Sequence, residues 1–192
     1  IYTMQEEHKR KEQRELVKKF EAFLKAKENH YFDEDSFLNI ISYYQDQDKL
    51  KMALRASDLA TGQYPFSTDL IAEKADILVK LNQSDKAIST LETGLAYQPN
   101  DPDLLMQVGT IYALTSAYEL AIDSFEKALP FIEDKDEVLY NIGLSYQGLH
   151  DYKRAIDHYK EALEYNMGNE SILYELAYCL DLEGELENSI AY

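Results

Sequence analysis

PDLLMQVGTIYALTSAYELAIDSFEKALPFIEDK (residues 102–135) and DEVLYNIGLSYQGLHDYKRAIDHYKEALEYNMGN (residues 136–169) carry the same kinds of side chain at the same places. Gly109 answers to Gly143, Tyr112 to Tyr146, Ala121 to Ala155, Phe125 to Tyr159 and Ala128 to Ala162. The interval of 34 residues extends outward from this pair. Ala75 and Ala177 flank the two glycines, while Ala53, Ala87, Ala121, Ala155 and Ser189 form a second ladder in step with the first. Units of this length cannot bury their apolar faces singly, so neighbours must stack into a solenoid, and stacking generates a long concave surface.

Each unit reads as two helices joined by a short turn, with a longer break after the second helix. The spans are 34–67, 68–101, 102–135, 136–169 and an incomplete unit 170–192. Turn residues mark the breaks: Tyr64-Pro65, Gln98-Pro99-Asn100-Asp101-Pro102, Glu133-Asp134-Lys135-Asp136 and Asn166-Met167-Gly168-Asn169. Residues 1–33 stand apart. From Met4 to about Asn29 there is neither Gly nor Pro, and the apolar residues Leu16, Val17, Phe20, Phe23 and Leu24 share one helical face. This helix is expected to dock its second half on the first repeat and to project Gln5 to Glu15, as a polar cap or as a coupling helix.

These positions resemble the tetratricopeptide repeat, whose pattern asks for large, apolar, small and aromatic residues on the first helix, and for Ala, an aromatic, Ala and a closing Pro on the second. The third unit supplies Leu105, Val108, Gly109, Tyr112, Ala121, Phe125 and Ala128, with Glu133 where Pro is usual; the fourth supplies Leu139, Ile142, Gly143, Tyr146, Ala155, Tyr159 and Ala162. Earlier units are looser, with Lys74 at an apolar place in the second and Ser57 for the aromatic in the first. The resemblance implies an all-α, right-handed superhelical solenoid of helix-turn-helix repeats.

Small residues such as Gly109 and Ala121 are expected where paired helices cross, and Tyr112, Phe125, Tyr146 and Tyr159 between neighbouring units. A second stripe, roughly 100° around each first helix, lines the concave groove in the resembled family. Carried over, it selects Asp69, Asp76, Asp103, Met106, Thr110, Glu137, Tyr140, Leu144, Tyr174 and Tyr178 as the partner-binding groove, polar at the front and aromatic at the back. Tyr140, Leu144, Tyr174 and Tyr178 are the expected anchors, because an exposed aromatic patch suits a partner segment. Asp35, Asp69, Asp103 and Glu137 recur near helix starts, where carboxylates cap free N–H groups and complement the helix dipole. Some relatives grip acidic tails with a basic clamp; here Leu38, Asp69 and Asp103 stand in the groove, which argues against such a ligand.

The formal charge is −17, with eight Lys/Arg and seven Asp/Glu in residues 1–33, so the acid lies in the repeats. That balance disfavours nucleic acid and favours basic or apolar protein partners. His8, His30, His150 and His158 lack zinc spacing, the Asp-x-Asp pairs lack a calcium-loop continuation, and no phosphate loop or nucleophile elbow occurs, so no metal, cofactor or catalysis is expected. Cys179 reads as a small buried thiol. The chain opens Ile-Tyr-Thr-Met and stops inside a helical pattern, so it reads as a fragment of a larger protein; an upstream leader or anchor is compatible with that, and cytoplasmic is the default compartment. The expected function is a non-catalytic interaction scaffold; the alternatives are an oligomerisation module joined through the C-terminal end and a regulatory segment of a larger enzyme or sensor.

Overall fold

A computed structural model describes residues 2–26 and 31–184. Among the described residues there are ten α-helices and no strand: α1 (Tyr2–Ala26), α2 (Glu34–Asp46), α3 (Leu50–Gln63), α4 (Thr68–Lys80), α5 (Ser84–Tyr97), α6 (Pro102–Leu114), α7 (Tyr118–Ala128), α8 (Asp136–Gly148), α9 (Tyr152–Tyr165) and α10 (Glu170–Leu182). The fold is the all-α helix-turn-helix repeat that the 34-residue interval predicts. The chain divides into two compact units, residues 1–90 and residues 91–192.

Local chemistry repeats with the same interval. The first helices are capped by Asp33, Ser67, Asp101 and Asn169, whose side chains accept from the N–H of Ser36 (2.8 Å), Leu70 (3.4 Å), Leu104 (3.0 Å) and Ser171 (3.1 Å). This corrects the expected capping role of Asp35, Asp69 and Asp103, which sit inside the first turn two places beyond the caps. Glu137 is likewise in the first turn of α8, whose cap position, Lys135, offers no side-chain acceptor. These four acids still complement the positive end of the helix dipole. The turn after α2, α4, α6 and α8 is a left-handed residue, Asp48, Asn82, Ser116 or His150, with φ between 53° and 61°. Beyond it, the N–H groups of Lys49, Gln83, Ala117 and Asp151 reach back to the carbonyls of Tyr44, Leu78, Tyr112 and Tyr146 at 2.8–2.9 Å, the wrapped-back bond that closes a helix end. Pro130, unremarked in the sequence, ends α7 early in a short 3₁₀ turn, Leu129–Phe131.

In the first unit α1 packs on α2, α2 on α3 and α3 on α4. Phe20 is fully buried at the centre, with the rings of Phe32, Phe37 and Tyr44 at 5.7–6.4 Å. Docking of α1 reaches further back than expected, since Gln13 Nε2 donates to the Asn39 carbonyl of α2 (3.0 Å). The side chains before Lys11 lie outside the described residues. Lys74, anomalous in the sequence, bridges α4 to α3 by an ion pair with Asp58 (2.8 Å).

In the second unit α6 to α10 pack in succession around one core that includes Phe125, Leu139, Ile142, Tyr159, Leu176 and Cys179. A Cβ on Gly109 would lie 2.5 Å from the Phe125 ring, and one on Gly143 would lie 2.5 Å from the Tyr159 ring. The two aromatics therefore fill the crossing within their own pair, and Tyr159 also reaches the next pair through its hydroxyl, which shares the Gln147 oxygen with the Cys179 thiol. Tyr118 of α7 is the residue seated over the next pair, against Gly148 of α8.

Candidate functional site

Eight of the ten expected groove residues lie in the second unit, on the first helices α6, α8 and α10; Asp69 and Asp76 lie on α4 of the first unit. Met106, Tyr140 and Leu144 are half-buried and rest against the core of the second unit. Tyr174 and Tyr178, one turn apart on α10, are 71% and 48% exposed. Thr110 is exposed, with its hydroxyl spent on the Met106 carbonyl (2.9 Å). Asp103 and Glu137 are exposed. Asp69 is also exposed, and Asp76 is paired with Lys80.

Beneath the aromatic residues runs a polar network that stripe selection only touched. Gln147, one turn beyond Leu144 on α8, takes two donors on its Oε1: the Tyr159 hydroxyl of α9 (2.8 Å) and the Cys179 thiol of α10 (3.1 Å). Its Nε2 donates to Glu175 Oε2 of α10 (2.9 Å). Three helices thus meet on one amide, and Glu175 is fixed between Tyr174 and Tyr178 in sequence. Because i, i+3 and i+4 positions share a helix face, the Gln147–Glu175 bond places the Tyr140, Leu144 and Gln147 stripe of α8 opposite the Tyr174, Glu175 and Tyr178 stripe of α10. Burial first, and the Glu175 carboxylate second, raise the Tyr140 hydroxyl above the usual phenol range. Burial, then Glu175, pushes the Cys179 thiol up to about 11. The thiol is held protonated and inaccessible, which suits a structural cysteine.

Sequence reasoning missed Glu175. The signal was present as a second copy: Gln45 Nε2 donates to Glu73 Oε2 (2.8 Å) in the first unit, 102 residues before Gln147 and Glu175. The same place in the third repeat holds Gln107, whose buried Oε1 has no protein partner. His150 Nδ1 lies 2.9 Å from the Tyr152 hydroxyl and His158 Nδ1 lies 2.8 Å from the Arg154 carbonyl, so each ring is engaged locally.

Charge separates the units. Residues 91–192 hold five Lys/Arg and twenty Asp/Glu, against fourteen and sixteen in residues 1–90. Helices α6, α8 and α10 carry six acids and not one Lys or Arg. No helix among the described residues is long and apolar enough to cross a membrane.

Two family models, both described as Tetratricopeptide repeat, match residues 73–136 and residues 137–166. Similar solved structures include a crystal structure of MamA, 15% identical, covering 85% of this chain and 92% of that chain with a TM-score of 0.73. MamA from Desulfovibrio magneticus RS-1, from residue 41 to its end, is 15% identical over 82% of this chain and 89% of that chain, TM-score 0.74. The pilF protein of Pseudomonas aeruginosa is 20% identical over 83% of this chain and 72% of that chain, TM-score 0.73. At these identities the likeness is one of fold. No curated protein matches the sequence.

Proposed function

The chain is a tetratricopeptide-repeat protein, a fold typical of protein–protein interaction scaffolds, and we propose that it works without catalysis by holding a segment of a protein partner on the first-helix face of α6, α8 and α10. The observation that carries this reading is the pairing of Tyr174 and Tyr178, exposed on α10, with half-buried Tyr140 and Leu144 on α8. Large apolar side chains left in water in a contiguous group mark an interaction surface, and aromatics anchor such surfaces because they bury much area for few rotatable bonds. Asp103 and Glu137 add acid at the helix starts of the same face.

Capture of interacting proteins by the immobilised full chain tests it. The double variant Tyr140→Ala/Tyr174→Ala is expected to lose species that the wild type and Lys160→Ala, a change on the exposed side of α9, both retain, with helical circular dichroism unaltered. Equal capture by all three contradicts the groove assignment.

A further inference from the structure

We infer that the face formed by Tyr140, Tyr174, Glu175 and Tyr178 receives a cationic side chain, Lys or Arg, of the partner segment, with the Glu175 carboxylate as its counter-charge. The inference rests on the groove reading above and adds the chemistry of the occupant. Glu175 offers a carboxylate of which only Oε2 takes the Gln147 bond, and among the described residues no Lys or Arg forms an ion pair with it. The orientation of Gln147 follows from its partners. A phenol and a thiol can both donate only to its oxygen, so the nitrogen must face Glu175.

The first unit contains the same Gln–Glu pair, with a lysine on the glutamine oxygen rather than on Glu73. Lys80 Nζ donates to Gln45 Oε1 (2.7 Å) and pairs with Asp76. Three repeats on, Lys80 becomes Leu182 and Asp76 becomes Tyr178, while the Gln147 oxygen is filled by Tyr159 and Cys179. The second unit has therefore kept the Gln–Glu pair, lost both the lysine and the aspartate that holds it, and gained exposed aromatic faces that attract cations through their ring quadrupoles. Of its five bases, Lys127 and Arg154 are engaged by Asp123 and Asp151 on α7 and at the start of α9, and among the described residues Lys135, Lys153 and Lys160 form no ion pair with Glu175. A cation brought from outside meets first helices that together carry six acids and no competing base.

The test uses the full chain and two fluorescein-labelled amphipathic peptides of Leu and Ala, one carrying Arg and one carrying citrulline, its neutral isostere, at the same positions. Binding is read by fluorescence polarisation. The Arg peptide is expected to bind more tightly than the citrulline peptide. Glu175→Gln keeps an acceptor for Gln147 and should weaken the Arg peptide roughly tenfold while leaving the citrulline peptide unchanged; Glu175→Ala should act in the same direction. Asp157→Asn, which removes one exposed charge from α9, should leave both affinities within about twofold, as expected for a distant screened charge. Tyr174→Ala should weaken both peptides. Equal binding of the two peptides, or equal effects of Glu175→Gln and Asp157→Asn, overturns the cation receptor, and the groove reading survives if Tyr174→Ala still weakens both. Indifference of both peptides to Tyr174→Ala overturns the groove reading and the inference with it.

Discussion

Gly109 and Gly143 are small because Phe125 and Tyr159, each sixteen residues later, occupy the space a Cβ would take, and both rings are buried. The first repeat shows the reverse choice at the same places, with Ile41 on the first helix and Ser57 on the second, both fully buried. Volume is thus shared between two positions of a pair. Gly109→Ala should cost about 1–3 kcal/mol by overpacking, and Gly109→Ala combined with Phe125→Leu should cost less than the sum of the two single changes. Urea unfolding measures this; strict additivity would show that the two positions do not share a space. Cys179 gives a second prediction at this scale. Burial holds its thiol protonated up to about 11 in the folded chain, against 9.0 for the free group. The stabilisation is intact below pH 9 and drains away as pH climbs toward 11, because only the unfolded chain then releases the proton. The melting temperature should fall across that window, and Cys179→Ala should flatten the fall. Some slope should persist from about pH 10 upward, since burial also raises the Tyr44 hydroxyl, to about 12, and the Tyr140 and Tyr159 hydroxyls. A fall as steep in the variant as in the wild type would contradict the assignment.

The helices begin on a capping ladder of Asp33, Ser67, Asp101 and Asn169. Asp101→Ala removes the acceptor of the Leu104 N–H and should cost about 1 kcal/mol. Asp103→Ala loses only a dipole interaction, about 0.3–1 kcal/mol, and thermal melts that rank Asp103 above Asp101 would contradict the capping pattern. The helix pairs were legible in the sequence because side chains of fixed size recur every 34 residues, and stacking alone explains such a recurrence. The caps lie two residues before the recurring acids, a difference hidden in the sequence because an acid is favourable anywhere in a first turn, whereas only backbone geometry decides which side chain accepts the N–H. The left-handed closures were invisible for a related reason. Asp48, Asn82, Ser116 and His150 occupy them in place of glycine, so the usual punctuation is missing. Pro130 ends α7 three residues before Glu133, the place where the family pattern has its closing Pro. Within the candidate site, the aromatic stripe is what the family resemblance implies, carried over at helical spacing. Glu175 did not, since its role appears only when α8 and α10 are laid side by side and Gln147 crosses between them.

For the whole molecule, the uneven charge is the feature that bears most on function. On the proposed reading, an acidic second unit whose first helices carry no base speeds encounter with a cationic segment and makes the rate of association sensitive to salt, while the proposed aromatic anchors act mainly on dissociation. Repeats of this kind place successive first helices on one side, so recognition is a property of the stack and not of any single repeat. Photo-crosslinking tests that claim most directly. Benzoylphenylalanine is introduced in place of Tyr174 in one protein and in place of Lys160, on α9, in another, and both are irradiated with the same mixture of interacting proteins. The account predicts a discrete adduct from position 174 and none from position 160; adducts of equal yield from both, or from position 160 alone, would contradict it.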